Sequence, residues 1–440
     1  MKSHTAKISL VVATLIGLAL VLMPKVIGAN IERATIDNLI ALIPPEAQSQ
    51  FEIRRSEFSD GWFSSSTTIE LIYTPIGTDA IALSMDFDID HGPLLQTADG
   101  LSIGLAYAVI EPSIRNDMFD IALTEISFPL PDITLNLLAR FDQSLWLNMN
   151  VSELNVSDTA GDFSFDGLDA NVDVASDQSA YFSIQMGELS AIESAENSNV
   201  LIAGMTVTSS TTQLNDMLAE SRATFSIPSV SSTLPLPFSI TDIGVDYGLQ
   251  ASPSLQNFSE IYQTIRIANI ESEVPVNSFN WLSEIKQLNN ELLRDYYRLL
   301  SELQDEINSD EDAVSAEFTE LAQELYLLVL QNPLELNNRI EASSYDGDHT
   351  ADLRALWSGI STLSSAAELD MSEAITALNM TLEISLDQAA IMRSPLAGLV
   401  DPYVQQGYLT ITNGRIMIEA SLQDSVLRVN GDELPLDQFF

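Results

Sequence analysis

The sequence predicts an α+β protein that is mainly antiparallel β, with a long-stranded curved sheet, an inserted αα-hairpin and an N-terminal transmembrane helix. Three patterns lead to this fold class. An uninterrupted apolar run opens the chain, period-two alternation dominates residues 48–277, and helical spacing replaces it over residues 278–333. A hydrophobic content of 46% supplies enough apolar side chains for a buried core, so we expect a folded protein.

The first apolar run predicts the topology of the chain. Lys2 and Lys7 precede residues 8–23, and Lys25 follows them. Positive residues beside a membrane span stay on the cytoplasmic side. We therefore expect residues 1–7 to be cytoplasmic and the rest of the chain after the run to lie across the membrane.

Two interpretations of this run remain open. Its 16 residues cover only about 24 Å as a helix, which is less than the roughly 30 Å of a bilayer core and would suit a cleaved signal peptide. A helix that continues to Ala29 covers 22 residues and can span the membrane. The residues before Asn30 supply only one of the two small side chains of a cleavage site, so we favour a transmembrane signal-anchor at residues 8–29.

Residues 30–47 predict a short amphipathic stalk helix. Two consecutive prolines follow its last apolar residue and would end it. A helix here would connect the membrane anchor to the following domain. The apolar side chains near helical spacing are Ile31, Ile36, Leu39, Ile40 and Ile43.

Residues 48–277 predict an antiparallel β domain of long, half-buried strands. Alternation of apolar and polar side chains is clearest over residues 68–73, 82–90 and 163–166. Turn residues separate such segments, and this pattern predicts turns at 159–162 and 246–248. The recurrence of strands and turns favours a meander.

Residues 278–333 predict an αα-hairpin. Apolar side chains from Trp281 to Leu300 lie three or four residues apart, and a second set with the same spacing runs from Phe318 to Leu328. The acidic segment 309–312 separates the two sets. A short acidic turn between two helical patterns is typical of two antiparallel helices.

Residues 334–440 predict a mixed α/β region that completes the sheet. Its last part contains two Asn-Gly pairs, the strongest short signal for a β-hairpin because both residues tolerate a positive φ. The elements that we expect are a helix over 353–367, a strand over 378–386, a helix before Gly407, and hairpins that turn at Asn413-Gly414 and Asn430-Gly431.

The charge balance excludes nucleic acid as a partner. The chain carries 63 acidic and 18 basic residues, a net charge of −45, and has no basic residue between Arg140 and Arg222. Binding to nucleic acid depends on Lys and Arg at the phosphates, and anionic lipid headgroups are disfavoured over most of the surface for the same reason. A solvated acidic surface that keeps the protein soluble is the simplest interpretation, and a surface that collects cations such as Ca²⁺ is the alternative.

No pattern of residues predicts a catalytic site or a cofactor. The chain has no cysteine, which excludes disulfides and thiolate chemistry. His91 beside Asp90 could act as a general base, but a hydrogen-bonded structural histidine is the commoner role next to Gly92-Pro93. The sequence lacks the nucleophile elbow, the glycine-rich phosphate loop and the paired-histidine zinc motif. We therefore expect a protein that is not an enzyme and needs no cofactor.

The best candidate for a metal site is the row Asp86, Asp88 and Asp90, which alternation places on one face of a strand at intervals of about 6.8 Å. Ca²⁺ takes about six to eight oxygen ligands, so this row would need help from a loop. In a chain this acidic, such a row is more typical of a solvated face. The acids at 166–177 are irregularly spaced, and Asp346-Gly347-Asp348 lacks the frame of a calcium loop, so we predict no metal site.

The expected sheet also allows a groove for a hydrophobic ligand. If the sheet curls, its inner face would form a trough that suits acyl chains, lined by apolar side chains of the type of Ile69, Leu71, Tyr73, Leu83, Met85 and Phe87. Such a protein would be similar to the β-groove proteins that shield lipids crossing the envelope. If helices cover the same face, it is an ordinary core, and both possibilities remain open.

After the predicted anchor, three short motifs follow one another along the chain. They are Gly61-Trp62-Phe63-Ser64-Ser65, the step Asp90-His91-Gly92-Pro93, and the ending from Ser421 through Asn430-Gly431 to Phe439. In this order, the anchor and the motifs resemble the YdgA-like family of bacterial proteins, and the predicted αα-hairpin falls where that family has one. The resemblance covers essentially the whole chain and implies an inner-membrane protein of a Gram-negative bacterium with its bulk in the periplasm. It implies an association with swarming motility and self-association, but no reaction. The family-motif positions, which we expect to be structural, are Gly61, Phe63, Ser64, His91, Gly92, Pro93, Asn430 and Gly431.

The predicted function is that of a non-enzymatic, single-pass inner-membrane protein that serves as an interaction or structural module of the cell envelope, with a link to motility. Its predicted partners are the inner membrane through the N-terminal helix, a second copy or another envelope protein, and lipid. The alternative is a β-groove module that binds or carries lipid or another hydrophobic ligand.

We predict that the N-terminal segment is retained in the mature protein. N-terminal sequencing should find residues that precede Asn30, because an anchor is not removed by signal peptidase. A mature terminus at Asn30 would instead indicate a cleaved signal and a freely diffusing protein.

Overall fold

The computed structural model describes most of the chain after its first fifty residues. The segments predicted at 1–7, 8–29 and 30–47 lie outside the described part. Among the residues that are described, no helix is both long and apolar enough to cross a membrane. The described residues are 51–55, 58–73, 81–98, 100–115, 131–157, 161–193, 198–214, 216–233, 237–272, 276–296, 298, 323–324, 326–365 and 369–434.

Most described residues belong to β-strands. In chain order the first strands are β1 (Phe51–Arg55), β2 (Ser59–Asp60), β3 (Ser64–Tyr73), β4 (Ile81–His91), β5 (Leu94–Thr97), β6 (Gly100–Ile103), β7 (Ala106–Arg115), β8 (Ile133–Ala139), β9 (Leu145–Val151), β10 (Leu154–Ser157), β11 (Gly161–Phe165), β12 (Leu168–Val174) and β13 (Ala180–Met186). The following strands are β14 (Leu189–Glu193), β15 (Ser198–Ile202), β16 (Met205–Thr211), β17 (Ser221–Ser232), β18 (Phe238–Ala251), β19 (Phe258–Ser272), β20 (Val276–Asn289), β21 (Leu334–Ser344), β22 (Gly347–Trp357), β23 (Leu378–Asp387), β24 (Thr410–Thr412), β25 (Arg415–Gln423), β26 (Val426–Val429) and β27 (Asp432–Leu434).

The described helices are few and short. They are α1 (Met371–Ala377), α2 (Gln388–Arg393) and α3 (Ala397–Gln405), together with helical residues at 290–296 and 326–331. The carboxylates of Asp370 and Asp387 cap α1 and α2, because each accepts a hydrogen bond from a backbone N–H of the first turn.

The chain divides into two compact units. Unit 1 contains the described residues up to Val156 together with 166–186 and 210–217, and unit 2 contains 157–165, 187–209 and the described residues from Leu218 onwards.

Unit 1 is an antiparallel sheet with one well-buried face. Its ladder runs from β1 and β2, which both pair with β3, through β4, β7, β8, β9 and β12 to β13. Alternation turns the apolar side chains of the neighbouring strands to the same side. The resulting core cluster is Ile69, Phe87, Ile89, Ala108 and Ile110.

The short hairpin of β5 and β6 is a separate two-stranded sheet in unit 1. Its inner face buries Leu95 against Tyr107 and Leu138, with Trp146 at the margin of this cluster. The Tyr107 hydroxyl donates to Asn136 Oδ1 at 2.6 Å, so the buried phenol keeps a partner.

Unit 2 is a longer antiparallel ladder. It runs from β11 through β14, β15, β17, β18, β19, β20, β21, β22 and β23 to β25. On the edge of β25 that does not pair with β23, one part of the strand pairs with β24 and another part with β26. β26 in turn pairs with β27. These pairings confirm the mainly antiparallel β class and the long strands. They also confirm the hairpins that turn at Asn413-Gly414 and Asn430-Gly431.

Two of the helix predictions and one turn prediction are wrong. Residues 276–289 form β20 rather than the start of an αα-hairpin. Among the described residues of the predicted hairpin, 290–296, 298, 323–324 and 326–331 are helical. Residues 347–357, assigned in part to a helix over 353–367, form β22. The turn predicted at 246–248 lies inside β18. In each case the segment pairs with a strand on either side, and this pairing stabilises the strand conformation. The spacing of residues along one segment does not reveal such pairing.

Other predicted elements are confirmed. The strands expected at 68–73, 82–90 and 378–386 lie in β3, β4 and β23, and α3 is the helix expected before Gly407. For the turn at 159–162, residues 158–160 lie outside the described part, and Gly161 already begins β11.

We predict that Ile69→Ala destabilises unit 1 by about 2–5 kcal/mol, because Ile69 is almost fully buried in the core and its truncation leaves a cavity. The matched control is Val109→Ala on the exposed face of β7, with a cost below about 1 kcal/mol. Urea denaturation followed by circular dichroism measures both variants. Equal losses of stability would contradict the buried position of Ile69.

Candidate functional site

Most of the family-motif residues of unit 1 meet at one end of β3 and β4. His91, the last residue of β4, donates its backbone N–H to the Phe63 carbonyl at 2.8 Å. Its Nε2 lies 3.0 Å from Ser65 Oγ, and both side chains are buried. Asp90 lies on the opposite, exposed side of the strand. The arrangement links the two neighbouring strands β3 and β4 through buried side chains.

Gly92 and Pro93 form a close backbone junction after β4. The Gly92 N–H donates to the Leu105 carbonyl at 2.6 Å, and the Gly104 N–H donates to the Pro93 carbonyl at 3.2 Å, around a cis Gly92–Pro93 peptide. The Leu105 N–H continues to the Ala139 carbonyl at 2.8 Å. A Cβ atom on Gly92 would lie 1.7 Å from the Gly104 carbonyl oxygen, so only glycine fits.

The first motif presents two aromatic side chains to solvent. The Gly61 N–H donates to the Ser64 carbonyl at 2.8 Å, which closes a tight turn before β3. A Cβ atom on Gly61 would lie 2.6 Å from the same oxygen. Between these two residues, Trp62 and Phe63 are both exposed. The motif therefore fixes a turn whose apolar side chains point away from the core.

Asn430 and Gly431 have a different environment in unit 2. Both have positive φ values, of 50° and 90°, as the turn between β26 and β27 requires. Asn430 also holds neighbouring segments: its Oδ1 accepts from the Glu419 N–H at 2.9 Å, and its Nδ2 donates to the Gly407 carbonyl at 2.8 Å. The pair thus joins the last hairpin to β25 and to the end of α3.

The acidic rows do not converge on a metal site. Asp86, Asp88 and Asp90 are all exposed on one face of β4, and Thr68 Oγ1 donates to Asp86 at 2.6 Å. Asp346 follows Tyr345 in the tight turn between β21 and β22, and its carboxylate lies 3.9 Å from Arg393. Over the described ranges, no group of three or more His, Asp or Glu side chains could hold an ion.

His349 is held by backbone groups. Its Nδ1 accepts from the Asp387 N–H at 3.3 Å, and its Nε2 lies 3.3 Å from the Ser344 carbonyl. Because a carbonyl only accepts, these two contacts fit a neutral ring with its proton on Nε2. The ring ties β22 to the start of α2.

The largest feature that the sequence analysis did not locate is an apolar sheet face in unit 2. Register and alternation bring side chains of β17 to β23 and β25 into rows that cross the strands, and we call this side the apolar face. Its first central row is Phe225, Val245, Ile265, Trp281, Ile340, Ala351, Ile384 and Ile418. Its second central row is Ala223, Tyr247, Gln263, Ser283, Asn338, Leu353, Leu382 and Ala420.

The two central rows remain partly open. Every side chain in them is half-buried or exposed, and Ile340 is 38% exposed. The Trp281 indole N–H donates to Asn338 Oδ1 at 3.1 Å, so the second row has polar groups at its middle. Neither row contains a charged side chain.

The helices in the described part of the chain pack near the ends of these strands. α2 and α3 bury Ile391 and Val400 against Ile416, beside Leu386. At the other end, Leu330 packs with Ile360, Leu363 and Ala377, with Trp357 at its margin. In the described part of the chain, the rows between these two clusters have no comparable buried cluster.

The opposite face of the same strands is polar. Arg339 and Glu341 form an ion pair at 2.7 Å, and Asn280 donates to Glu341 at 3.3 Å. These contacts, first the hydrogen bond from Asn280 and then that from Arg339, lower the pKa of the Glu341 carboxyl below its usual value. Arg222 pairs with Asp246 at 2.8 Å further along this face.

The residues that we named for a groove therefore belong elsewhere. Ile69 and Phe87 lie in the closed core of unit 1, where the neighbouring strands bury them. The open apolar face lies in unit 2, and alternation in Ile243-Val245-Leu249 and Ile261-Ile265 is the signal that could have located it.

Comparison with known proteins identifies the family. The model of a bacterial protein family of unknown function, DUF945, matches residues 5–437. The chain belongs to the DUF945 family. The match covers all the family-motif positions of this DUF945 protein, but it does not confirm the narrower YdgA-like name. No curated protein and no solved structure matches the chain.

We predict that Gly92→Ala in this DUF945 protein lowers the thermal midpoint sharply, because the new methyl group would collide with the Gly104 carbonyl oxygen and break the junction. Gly398→Ala is the matched control, since a Cβ atom at this helical position meets nothing within 4 Å and removes a helix-destabilising glycine. Thermal unfolding compares the two. If the Gly92→Ala variant were as stable as the Gly398→Ala variant, the close contact between Gly92 and the Gly104 carbonyl would be refuted.

Proposed function

We propose that this protein is a non-enzymatic envelope protein that binds the acyl chains of a lipid on the apolar face of unit 2. The observation that supports this most directly is the pair of half-open central rows, which run across eight strands without a charge. Apolar surface of this extent is normally covered, because exposed apolar area is unfavourable in water.

The dimensions of the face suit an acyl chain. Seven spacings between eight strands, at about 4.8 Å each, give a row roughly 34 Å long. One leaflet of a bilayer has a hydrocarbon depth of about 15 Å, half of the roughly 30 Å core. A row could therefore hold one lipid chain along its length with space for another.

The charge distribution also favours an apolar, uncharged occupant. The chain carries a net charge of −45, but the central rows contain only apolar side chains and neutral polar ones. Gln263, Ser283 and Asn338 lie side by side in the second row. Their amide and hydroxyl groups could hydrogen-bond an ester or another neutral group of the lipid.

The location that we propose is the bacterial inner membrane, with a single span at residues 8–29 and the bulk of the chain in the periplasm. The positions of Lys2 and Lys7 directly before the apolar run support this topology. An anchored protein of this kind would receive lipid close to the membrane that supplies it.

A second candidate function is an interaction or structural module of the envelope, with self-association and a link to motility. Tyr296 on one helical stretch, and Tyr326 and Val329 on another, favour it because all three side chains are exposed. Tyrosine is enriched at protein interfaces. The contact would use these helical residues rather than the apolar face.

We predict that Ile340→Glu weakens binding of a phosphatidylcholine with a fluorescent acyl chain by about tenfold or more, because the new carboxylate lies in the first central row and would be desolvated by the lipid. Leu356→Glu is the matched control. It adds the same charge at a side chain that is also 38% exposed, on the opposite face of β22.

The full-length protein should also retain phospholipid detectable by mass spectrometry, and Ile340→Glu should retain less. Equal binding by both variants, or no saturable binding by the native protein, would refute the lipid site. Loss of self-association in Tyr326→Ser with unchanged lipid binding would support the second candidate as a separate function.

A further inference from the structure

A second apolar surface lies in unit 1, beside the family motifs. It consists of Trp62 and Phe63 before β3, and of Leu94, Leu101 and Ile103 on the outer face of the β5–β6 hairpin, and we call it the apolar tip. All five side chains are exposed. Leu101 and Ile103 are 70% and 72% exposed, so little protein surrounds them.

The backbone holds the two parts of the apolar tip together. His91 donates to the Phe63 carbonyl, and Gly92, next in the chain, donates to the Leu105 carbonyl beyond β6. Within the hairpin, Leu94 pairs with Ile103 and Leu95 with Ser102. Because Leu95 is buried in the core on the inner face, alternation fixes Leu94 and Ile103 on the outer one.

The two segments that form the apolar tip carry few charges for a chain of net charge −45, although Asp60 and the exposed Asp90 lie just before them. Residues 61–68 contain no charged residue, and residues 92–105 contain only Asp99. Exposed Trp, Phe, Leu and Ile side chains suit insertion between lipid headgroups, where tryptophan is enriched. Protein hot spots, by contrast, tend to lie in well-packed pockets.

The length of chain before β1 permits this contact. Phe51 pairs with Tyr73, so the chain enters unit 1 at the end of β3 that is opposite the apolar tip, about 30 Å away along nine residues. With the anchor predicted at residues 8–29 and the stalk helix at residues 30–47, residues 30–50 would cover roughly 37 Å, which is more than this distance. The apolar tip can therefore reach the membrane that holds the anchor.

We propose that the apolar tip inserts into the interface of a phospholipid bilayer and provides a second membrane contact besides the N-terminal segment. This surface lies in unit 1 and does not depend on lipid binding by unit 2. It gives the exposed Trp62 and Phe63 of the first motif a role that the turn at Gly61 alone does not require.

The absence of cysteine from the chain allows a direct test. Ile103→Cys in the full-length protein is labelled with an environment-sensitive fluorophore, and the protein is incorporated into phosphatidylcholine vesicles with or without brominated acyl chains. We expect a blue-shifted emission that the brominated lipid quenches strongly. Leu101→Cys should behave in the same way. Asn155→Cys, an exposed position on β10, is the control and should be neither shifted nor quenched.

The outcomes separate the possible occupants. Quenching at positions 101 and 103 but not at 155 supports insertion into the bilayer. A blue shift without quenching would mean that protein, such as a second copy, covers the apolar tip, and it would overturn the proposal. Equal emission at all three positions would also overturn it. Thermal midpoints of the labelled proteins verify that the substitutions leave the fold intact.

Discussion

The register of the antiparallel ladder is the constraint on which the rest of the structure depends. In unit 2 each strand from β17 to β23 is paired on both sides, so the facing direction of one side chain fixes that of its neighbours across the sheet. A slip of one residue would turn a whole strand's apolar set to the polar side. The apolar face, the ion pairs behind it and the helices packed at the strand ends all follow from that one alignment.

The sequence alone predicts the elements whose structure depends on residues close together in the chain. Alternation located β3, β4 and β23, and the Asn-Gly pairs located the last two hairpins because their backbone geometry is intrinsic to those residues. β20 was misassigned because Trp281, Ile285 and Leu288 also fit helical spacing, while Ser283 interrupts the alternation on the apolar side. Ile265 and Ile340, which flank Trp281 in space, are far from it in sequence. The pairing of these three residues depends on the folded structure, so a short stretch of sequence does not reveal it.

For the candidate sites too, the sequence predicts one part and only the folded structure shows the other. The motif residues could be named from the sequence, but the contact of Gly92 with Gly104 and of His91 with Ser65 required the folded chain. The apolar face was foreseen as a possibility and assigned to the wrong strands, because alternation does not reveal whether a face is covered. The burial of a sheet face depends on what packs against it. The apolar side chains of unit 1 form a buried core cluster, whereas the side chains of the central rows in unit 2 are half-buried or exposed.

The succession of strands in unit 2 also shapes how the chain can fold. From β17 to β20 and from β21 to β23, each strand pairs with the next one in the sequence, so hairpins can form one after another as the chain is synthesised. Only the pairing of β20 with β21 must wait for the long segment between Asn289 and Leu334 to be synthesised. Closing that loop costs extra chain entropy, which makes the β20–β21 junction the natural pause in an otherwise sequential assembly.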